Sequence, residues 1–224
     1  MLFDLRSPGR RRIIKTVYVI LALLMGGGLV LFGIGGEVSG GIVDAITGSA
    51  SRGDDGADRF RADEEQSLAA TRANPTDAAA WAELASARFK LASVGDNFDP
   101  ASSAFTESGK AKLEQATAAW ERHVELADEP DDRLAATMAQ AYIELDEPAK
   151  AAGAQEVITE ARPQAGTFAQ LAVYAYAAGQ TRRGDLARDR ALELSDRDQR
   201  SGLRQQLEQA RAQAAGAAQS PAGD

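Results

Sequence analysis

The sequence predicts an all-α protein in which one transmembrane helix precedes a stack of paired helices. The first observation is an uncharged run from Thr16 to Ile34, which directly follows a basic segment. The second is the alanine-rich composition of the remaining chain, because alanine is the strongest helix former and no sustained alternation of β-branched residues predicts a strand. The third is a series of segments with apolar residues at helical spacing, separated by proline and glycine.

Residues 16–36 are predicted to form the transmembrane helix. The uncharged run has 19 residues, and at about 1.5 Å per residue it is about long enough to cross the hydrocarbon core. Residues 1–15 carry five basic residues and one acidic residue, which predicts a cytoplasmic arm and an extracytoplasmic C-terminal domain. The main alternative is a cleaved secretory signal, whose apolar core is usually shorter, about 7–15 residues. A buried core helix is a third interpretation, which the run Gly26-Gly27-Gly28 disfavours.

Composition restricts the function. The net charge is −8, and residues 1–15 carry +4, so the rest of the chain carries −12. That balance argues against nucleic-acid binding, which needs concentrated Lys and Arg. The chain has no cysteine, which excludes disulfides and thiolate metal sites, and its one histidine, His123, is interpreted as a residue packed between helices. The sequence therefore predicts no cofactor, no metal and no catalytic residue, and an enzyme is only a remote alternative.

The segments follow one another with clear boundaries. Residues 37–58 are rich in Gly, Ser and Asp, which predicts a flexible linker. A helical domain then covers residues 59–214, and residues 215–224 are predicted to be a disordered tail. Within the domain, the predicted helices are 59–73, 77–92, 107–127, 132–145, 147–161, 165–178, 181–194 and 197–214, the last being a cap that closes the stack.

The helices recur in units of about 34 residues. Unit 1 starts at Ala78, unit 2 at Asp132 and unit 3 at Ala165. Positions 8 and 20, where the two helices of a unit cross closely, hold Ala85, Ala116, Ala139, Ala151 and Ala172. Large apolar residues at positions 4, 7 and 24 fill the space between helices and include Trp81, Leu84, Trp120, Met138, Phe168 and Leu171, and Pro163 stands at position 32, where it ends a second helix.

This pattern resembles the tetratricopeptide repeat. The resemblance implies a right-handed superhelix of about three helix pairs plus capping helices. Three residues depart from the family pattern. Arg88 stands at position 11 where an aromatic residue is expected, His123 at position 27 where a small residue is usual, and Gly184 at position 20 inside a helix, which costs helix stability.

Unit 1 is longer than the pattern because of an insertion near residues 93–109. Its notable apolar residues are Phe98 and Phe105, and Asp99-Pro100 predicts the cap and first turn of a short helix. Either the two phenylalanines cover an exposed helix edge, or the insertion is a flap that shapes the groove. Its acidic residues lack the spacing of an EF-hand calcium loop.

In the tetratricopeptide family, the first helices of the units line a concave groove through positions 2, 5, 9, 12 and 13. The resemblance implies that the partner-binding groove of this chain is lined by Ala82, Ser86, Phe89, Lys90, Arg133, Ala136, Gln140, Ile143, Glu144, Ala169, Val173 and Tyr176. This mixed lining suits a peptide or partner protein that is held by shape and side-chain pockets.

These features together predict a membrane-tethered, extracytoplasmic protein-binding scaffold or adaptor. The segments Met1 to Arg6 and Phe32 to Gly36 are similar to the anchors of membrane-tethered parvulin-type folding factors, which implies support of secretion or envelope protein folding. The alternative is a self-associating structural component of an envelope complex. For that alternative, Ala22 and Gly26 supply a small-xxx-small pair in the anchor.

Overall fold

The computed structural model of the protein describes residues 55–219. The predicted cytoplasmic arm, the transmembrane helix of residues 16–36 and most of the linker lie outside the described residues, as does the end of the predicted tail. Among the helices that are described, none combines the length and the apolar character that a membrane crossing requires.

The described part is all-α apart from one small hairpin. Its helices are α1 (Asp55–Ala73), α2 (Ala78–Ala92), α3 (Glu107–Leu126), α4 (Asp132–Glu144), α5 (Pro148–Ala161), α6 (Ala165–Ala177), α7 (Thr181–Leu194) and α8 (Arg200–Gln219). The predicted helices are therefore confirmed, most of them to within a residue or two at each end. The prediction of a disordered tail is wrong for residues 215–219, which continue α8 because alanine favours the helix there.

The helix boundaries follow from local chemistry. Asp77 caps α2, and its carboxylate accepts hydrogen bonds from the backbone N–H groups of Ala79 and Ala80. Asp131 caps α4 in the same way. The turns after α4 and α6 contain Asp146 and Gly179, whose φ angles of 59° and 70° lie in the left-handed region that ends helices.

Neighbouring helices pack pairwise into a helical repeat-like fold. α2 packs on α3, α4 on α5 and α6 on α7, while α1 lies against α2 and α8 against both α6 and α7. The predicted crossing alanines are buried as expected, with Ala85, Ala116, Ala139, Ala151 and Ala172 all at most 1% exposed. Trp120 is also a core residue, whereas Trp81 is only half-buried because its indole N–H donates to the carbonyl of Pro75 at the surface.

Two of the three departures from the repeat pattern, Arg88 and Gly184, are explained by contacts between helices. Arg88 donates to the carboxylate of Glu64 on α1 and to the carbonyl of Gln115 on α3, so it ties α1 to unit 1. At Gly184, a Cβ atom would collide with the ring of Tyr176, so only glycine lets that ring pack on α7. Gly184 therefore gives up helix propensity for a close contact, whereas Arg88 gives up the packing of an aromatic side chain for polar contacts with two other helices.

The insertion is ordered and forms a hairpin. A 3-10 turn (Gly95–Asn97) leads into strand β1 (Phe98–Asp99), which pairs antiparallel with β2 (Ala104–Phe105). Phe98 and Phe105 are half-buried cross-strand partners whose rings meet edge to face, with centroids 5.4 Å apart. The predicted short helix at Asp99-Pro100 is therefore wrong, because the Asp99 carboxylate accepts from Ala101 N–H and Ser102 Oγ and stabilises the hairpin turn instead.

Candidate functional site

A cleft of about 530 Å³ lies between α1, α2 and α4. Two of these helices have equivalent places in the repeat, because α2 is the first helix of unit 1 and α4 is the first helix of unit 2. Its lining residues are Asp63, Gln66, Ser67, Ala82, Glu83, Ser86, Ala87, Lys90, Asp131, Arg133, Leu134 and Thr137. Of the predicted groove residues, the structure brings Ala82, Ser86, Lys90 and Arg133 together here.

Small side chains form the floor of the cleft. Ala82 and Ser86 are half-buried on successive turns of α2, and Ala87 is buried beside them. Ser67 of α1 is also buried, since its hydroxyl donates to the carbonyl of Asp63, 2.8 Å away. A floor of alanine and serine allows another chain to approach the α2 backbone closely.

The rim of the cleft is charged with both signs. Lys90 and Arg133 are exposed, and within residues 55–219 neither side chain takes part in an ion pair. Asp63 and Glu83 supply acidic groups on the same rim. These side chains are free to meet charges of a bound partner.

His123 fixes the position of α2 relative to α4. It is buried at 5% exposure, so the expectation of a packed histidine is confirmed. Its Nε2 accepts from the backbone N–H of Asp131, 3.1 Å away, so Nδ1 carries the proton and donates to the carbonyl of Ala78, 2.8 Å away. One ring thus links the start of α2 to the cap of α4, and the cleft lies between those helices.

The open surface continues over unit 2. Ala136, Gln140 and Glu144 are exposed along α4, whereas Ile143 is half-buried and packs against the main core. Partial desolvation raises the pKa of the Glu144 carboxyl, although the positive charge of Lys110 opposes that shift. These α4 positions extend the same face as the cleft without closing it.

The groove positions of unit 3 lie in the core instead. Ala169, Val173 and Tyr176 are each at most 8% exposed, and they share one hydrophobic cluster with Leu203 and Leu207 of α8. The prediction that they line an open groove therefore conflicts with their burial, because α8 packs along α6. Polar contacts also hold α8 in this position. The Tyr176 hydroxyl of α6 donates to Asp185 of α7, and Asp185 also pairs with Arg211 of α8.

Phe89 is also more a core residue than a groove residue. It is half-buried and packs against both hydrophobic clusters, including the smaller one formed by Ala92, Leu113 and Ala141. It lies near the C-terminal end of α2 and is not among the residues that line the cleft.

The insertion borders a different cleft. This second space, of about 580 Å³, lies between α1, α3 and the segment from Val94 to Asn97. On its wall, Glu64 accepts from the ammonium of Lys112 at 3.0 Å as well as from Arg88. Phe98 and Phe105 line neither of the two clefts, so within the described residues the insertion does not cover the cleft between α1, α2 and α4.

Sequence reasoning missed the residues that α1 contributes. Asp63, Gln66 and Ser67 form one wall, but α1 lies before the first recognisable unit and carries no repeat signature. The signal that could have found them is the spacing of Asp63 and Ser67, which one helical turn places on a common face.

The chemistry of the cleft fits binding. Small apolar groups, hydroxyls and charges of both signs can recognise a polypeptide by shape and by hydrogen bonds. Within the described part of the chain, no group of three or more His, Asp or Glu side chains is placed to hold a metal ion.

Comparisons with known proteins complete the description of this site. No protein-family model matches the chain, and no curated protein matches it either. The interpretation of the cleft therefore depends on the residues that form it and on the helices that position them.

Proposed function

We propose that this protein is a membrane-tethered scaffold or adaptor that binds a partner polypeptide in the cleft between α1, α2 and α4. The observation that carries the proposal is the lining of this cleft, which combines small side chains of α2 with charged side chains of α1, α2 and α4. Its floor is small and accessible, and the rim cations Lys90 and Arg133 form no ion pair within residues 55–219. A surface of this kind is complementary to a polypeptide with its own polar and charged groups.

The proposal includes the assignment of the domain to the tetratricopeptide class. It is supported by the burial of small residues at the predicted helix crossings of successive units, as at Ala85, Ala139 and Ala172. The pairing of α2 with α3, α4 with α5 and α6 with α7 also supports it. Helical repeat arrays generally bind through the face that their first helices share.

The membrane tether and the extracytoplasmic placement of the domain are further parts of the proposal. They rest on the uncharged run from Thr16 to Ile34 and on the basic residues before it. Washing membranes at alkaline pH should leave the protein in the pellet. Release into the supernatant would remove the tether from the proposal while leaving the cleft unaffected.

A tether changes the affinity that the cleft needs. An anchored domain meets other proteins of the same membrane at a raised effective concentration, so modest affinity is enough for function. A role in secretion or in envelope protein folding is one that such a scaffold would serve, and the partner found at the cleft would test it directly.

The decisive experiment compares two single substitutions of the full-length chain. Ser86→Arg fills the cleft floor with a long cation, while Ala118→Arg places the same side chain on an exposed site of α3 outside the cleft. After cross-linking in cells and solubilisation, we expect the proteins recovered with the wild type to be lost for Ser86→Arg and retained for Ala118→Arg. Equal recovery with both variants would contradict binding at the cleft, provided that circular dichroism shows both to be folded.

A further inference from the structure

α1 differs from the other described helices in how little apolar surface it buries. Its large apolar side chains are Phe60 and Leu68, and both are only half-buried. The α1 residues that are fully buried, namely Ala57, Ser67 and Thr71, are all small. Each of the helices α2 to α8 buries at least one large apolar side chain. Within residues 55–219, α1 is therefore the helix that hydrophobic burial holds least strongly.

The buried hydroxyl groups of α1 do not attach it to its neighbours. Ser67 donates to the carbonyl of Asp63, and Thr71 donates to the carbonyl of Leu68. Both hydrogen bonds stay within α1, so they satisfy the buried hydroxyls without joining two helices. The attachment of α1 has to come from other contacts.

Glu64 provides the polar contacts that join α1 to other helices. Its carboxylate accepts from Arg88 of α2 at 3.2 Å and from Lys112 of α3 at 3.0 Å. The Glu64 side chain is only 15% exposed, so water screens this charge cluster less than it screens a surface ion pair. Since α1 packs extensively on α2 alone among the described helices, this one carboxylate makes a large contribution to its attachment.

The turn between α1 and α2 provides a place where α1 can pivot. The indole N–H of Trp81 on α2 donates to the carbonyl of Pro75 at 2.9 Å, which fixes that part of the turn to α2. Ala73 and Asn74 come directly before this fixed point and are exposed. A few residues of this kind can absorb the backbone rotation of a moving helix.

The position of α1 in the chain gives such a movement a consequence. Its residues Asp63, Gln66 and Ser67 form one wall of the cleft between α1, α2 and α4. In the sequence, α1 follows the linker and the predicted transmembrane helix of residues 16–36. Within the described part of the chain, it is therefore the helix that a pull on the proposed tether reaches first.

We propose that α1 is a detachable wall of the cleft. It separates from α2 as one unit, about the turn at Asn74, while α2 to α8 stay folded, and Glu64 sets how often it does so. The detachment itself does not rest on the proposed function, but its consequence for binding does. Loss of the α1 wall lowers the affinity of the cleft, and by reciprocity a partner that contacts α1 holds it in place.

Amide hydrogen exchange of the full-length protein in detergent micelles tests the proposal. Mass spectrometry of overlapping peptides follows the exchange in the wild type, in Glu64→Gln and in Glu65→Gln. Glu64→Gln keeps the size of the side chain but leaves Arg88 and Lys112 without their counter-ion. Glu65→Gln makes the same chemical change at the next residue of α1, which is exposed, and is the matched control.

In the wild type, we expect the α1 amides beyond its first turn to exchange at least about 100-fold faster than the core amides of α6, with similar protection along the helix. Glu64→Gln should raise the exchange of these α1 amides by at least about 10-fold, because hydrogen bonds to a charged group are lost, and should leave α6 and α7 unchanged. Glu65→Gln should change the exchange of α1 by no more than about 2-fold.

Three results would overturn the inference. Protection of α1 equal to that of α2 would mean that α1 opens only when its neighbour does. Protection that falls gradually toward Asp55 would mean that the helix end frays without detaching as a unit. Equal effects of Glu64→Gln and Glu65→Gln would mean that Glu64 does not control the opening. If α1 detaches as expected but Ser86→Arg retains every recovered protein, the proposed function fails and the detachment of α1 stands.

Discussion

The two ends of the described domain use the same helix position in opposite ways. Position 9 is half-buried Ser86 in unit 1, exposed Gln140 in unit 2 and buried Val173 in unit 3. The local sequence pattern is shared, and the difference comes from what lies above each first helix. α8 covers α6, and among the described residues no helix covers α2 on its cleft side. Whether such a position is open or buried is therefore decided by the element that lies above it and not by its register in the unit.

The composition of the two first helices reflects this difference. α6 is apolar around most of its circumference, and Leu171 to Tyr176 are six consecutive buried residues. α2 instead carries serine, lysine and glutamate on its cleft side. A helix that is apolar on every side must be surrounded by other elements, so the closure of unit 3 is visible in its sequence. Val173 and Ser86 were both predicted to line the groove only because both stand at position 9 of their units.

The largest effect should come from opening the covered end. Leu207→Ala removes a side chain that is 2% exposed between α8 and α6, and we expect a loss of roughly 2–5 kcal/mol in unfolding free energy. Leu186→Ala, at a leucine that is 66% exposed, is the matched control and should change stability by less than about 0.5 kcal/mol. Urea unfolding of both variants measures the difference, and similar losses would mean that α8 does not close unit 3.

The next largest effect should come from alkaline pH, which we expect to destabilise unit 3, where α8 covers α6. Burial raises the pKa of both Tyr174 and Tyr176 to about 12, and for Tyr176 the hydrogen bond to Asp185 adds to the effect. Because the folded state holds these protons more tightly than the unfolded state, their contribution is complete below about pH 10, the ordinary tyrosine pKa. It is lost as the pH rises from there through about 12.

Tyrosinate absorbance and far-ultraviolet circular dichroism, followed together in an alkaline titration, measure this loss. We expect most of the tyrosinate signal of Tyr174 and Tyr176 to appear well above pH 10, together with a loss of helix. Their ionisation near pH 10 with the helix intact would contradict the burial of α6.

At the end of the domain that contains the cleft, stability should depend on His123, which links α2 to α4. His123→Phe keeps a ring in the core but leaves the carbonyl of Ala78 and the N–H of Asp131 without their partner, at an expected cost of roughly 1–3 kcal/mol. Arg122→Ala, which removes only an exposed ion pair with Glu125, should cost at most about 1 kcal/mol. Thermal unfolding distinguishes them, and equal midpoints would show that the histidine does not hold α2 and α4 together.

Two glycine substitutions should have opposite signs. Gly184→Ala places a Cβ atom against the Tyr176 ring, and we expect it to destabilise by roughly 1–2 kcal/mol despite the better helix propensity of alanine. Gly153→Ala in α5 meets open space and should stabilise by up to about 1 kcal/mol. Stabilisation by both substitutions would mean that Tyr176 has room to move and that the covered end is loosely packed.

Local chemistry made the helices predictable from the sequence. Asp77 and Asp131 cap helices as their side chains suggest, and Pro163 follows Arg162, the C-cap residue of α5. The crossing alanines were predictable for a similar reason, because close helix contacts accept only small residues.

The features that could not be predicted depend on contacts between distant segments. The wall that α1 adds to the cleft and the packing of α8 along α6 arise from tertiary arrangement. The hairpin at Phe98 and Phe105 was missed because its two-residue strands are too short to show an alternating pattern.

The most direct test of the account uses the absence of cysteine in this chain. Single cysteines at position 9 of each unit, as Ser86→Cys, Gln140→Cys and Val173→Cys, provide unique thiols for maleimide labelling under native conditions. We predict that Ser86→Cys and Gln140→Cys label rapidly. Val173→Cys should label at least about 100-fold more slowly, the ratio expected when labelling requires an opening that costs roughly 3 kcal/mol. Equal rates at the three sites, in proteins that remain folded, would contradict an open cleft at one end and a helix-covered groove at the other.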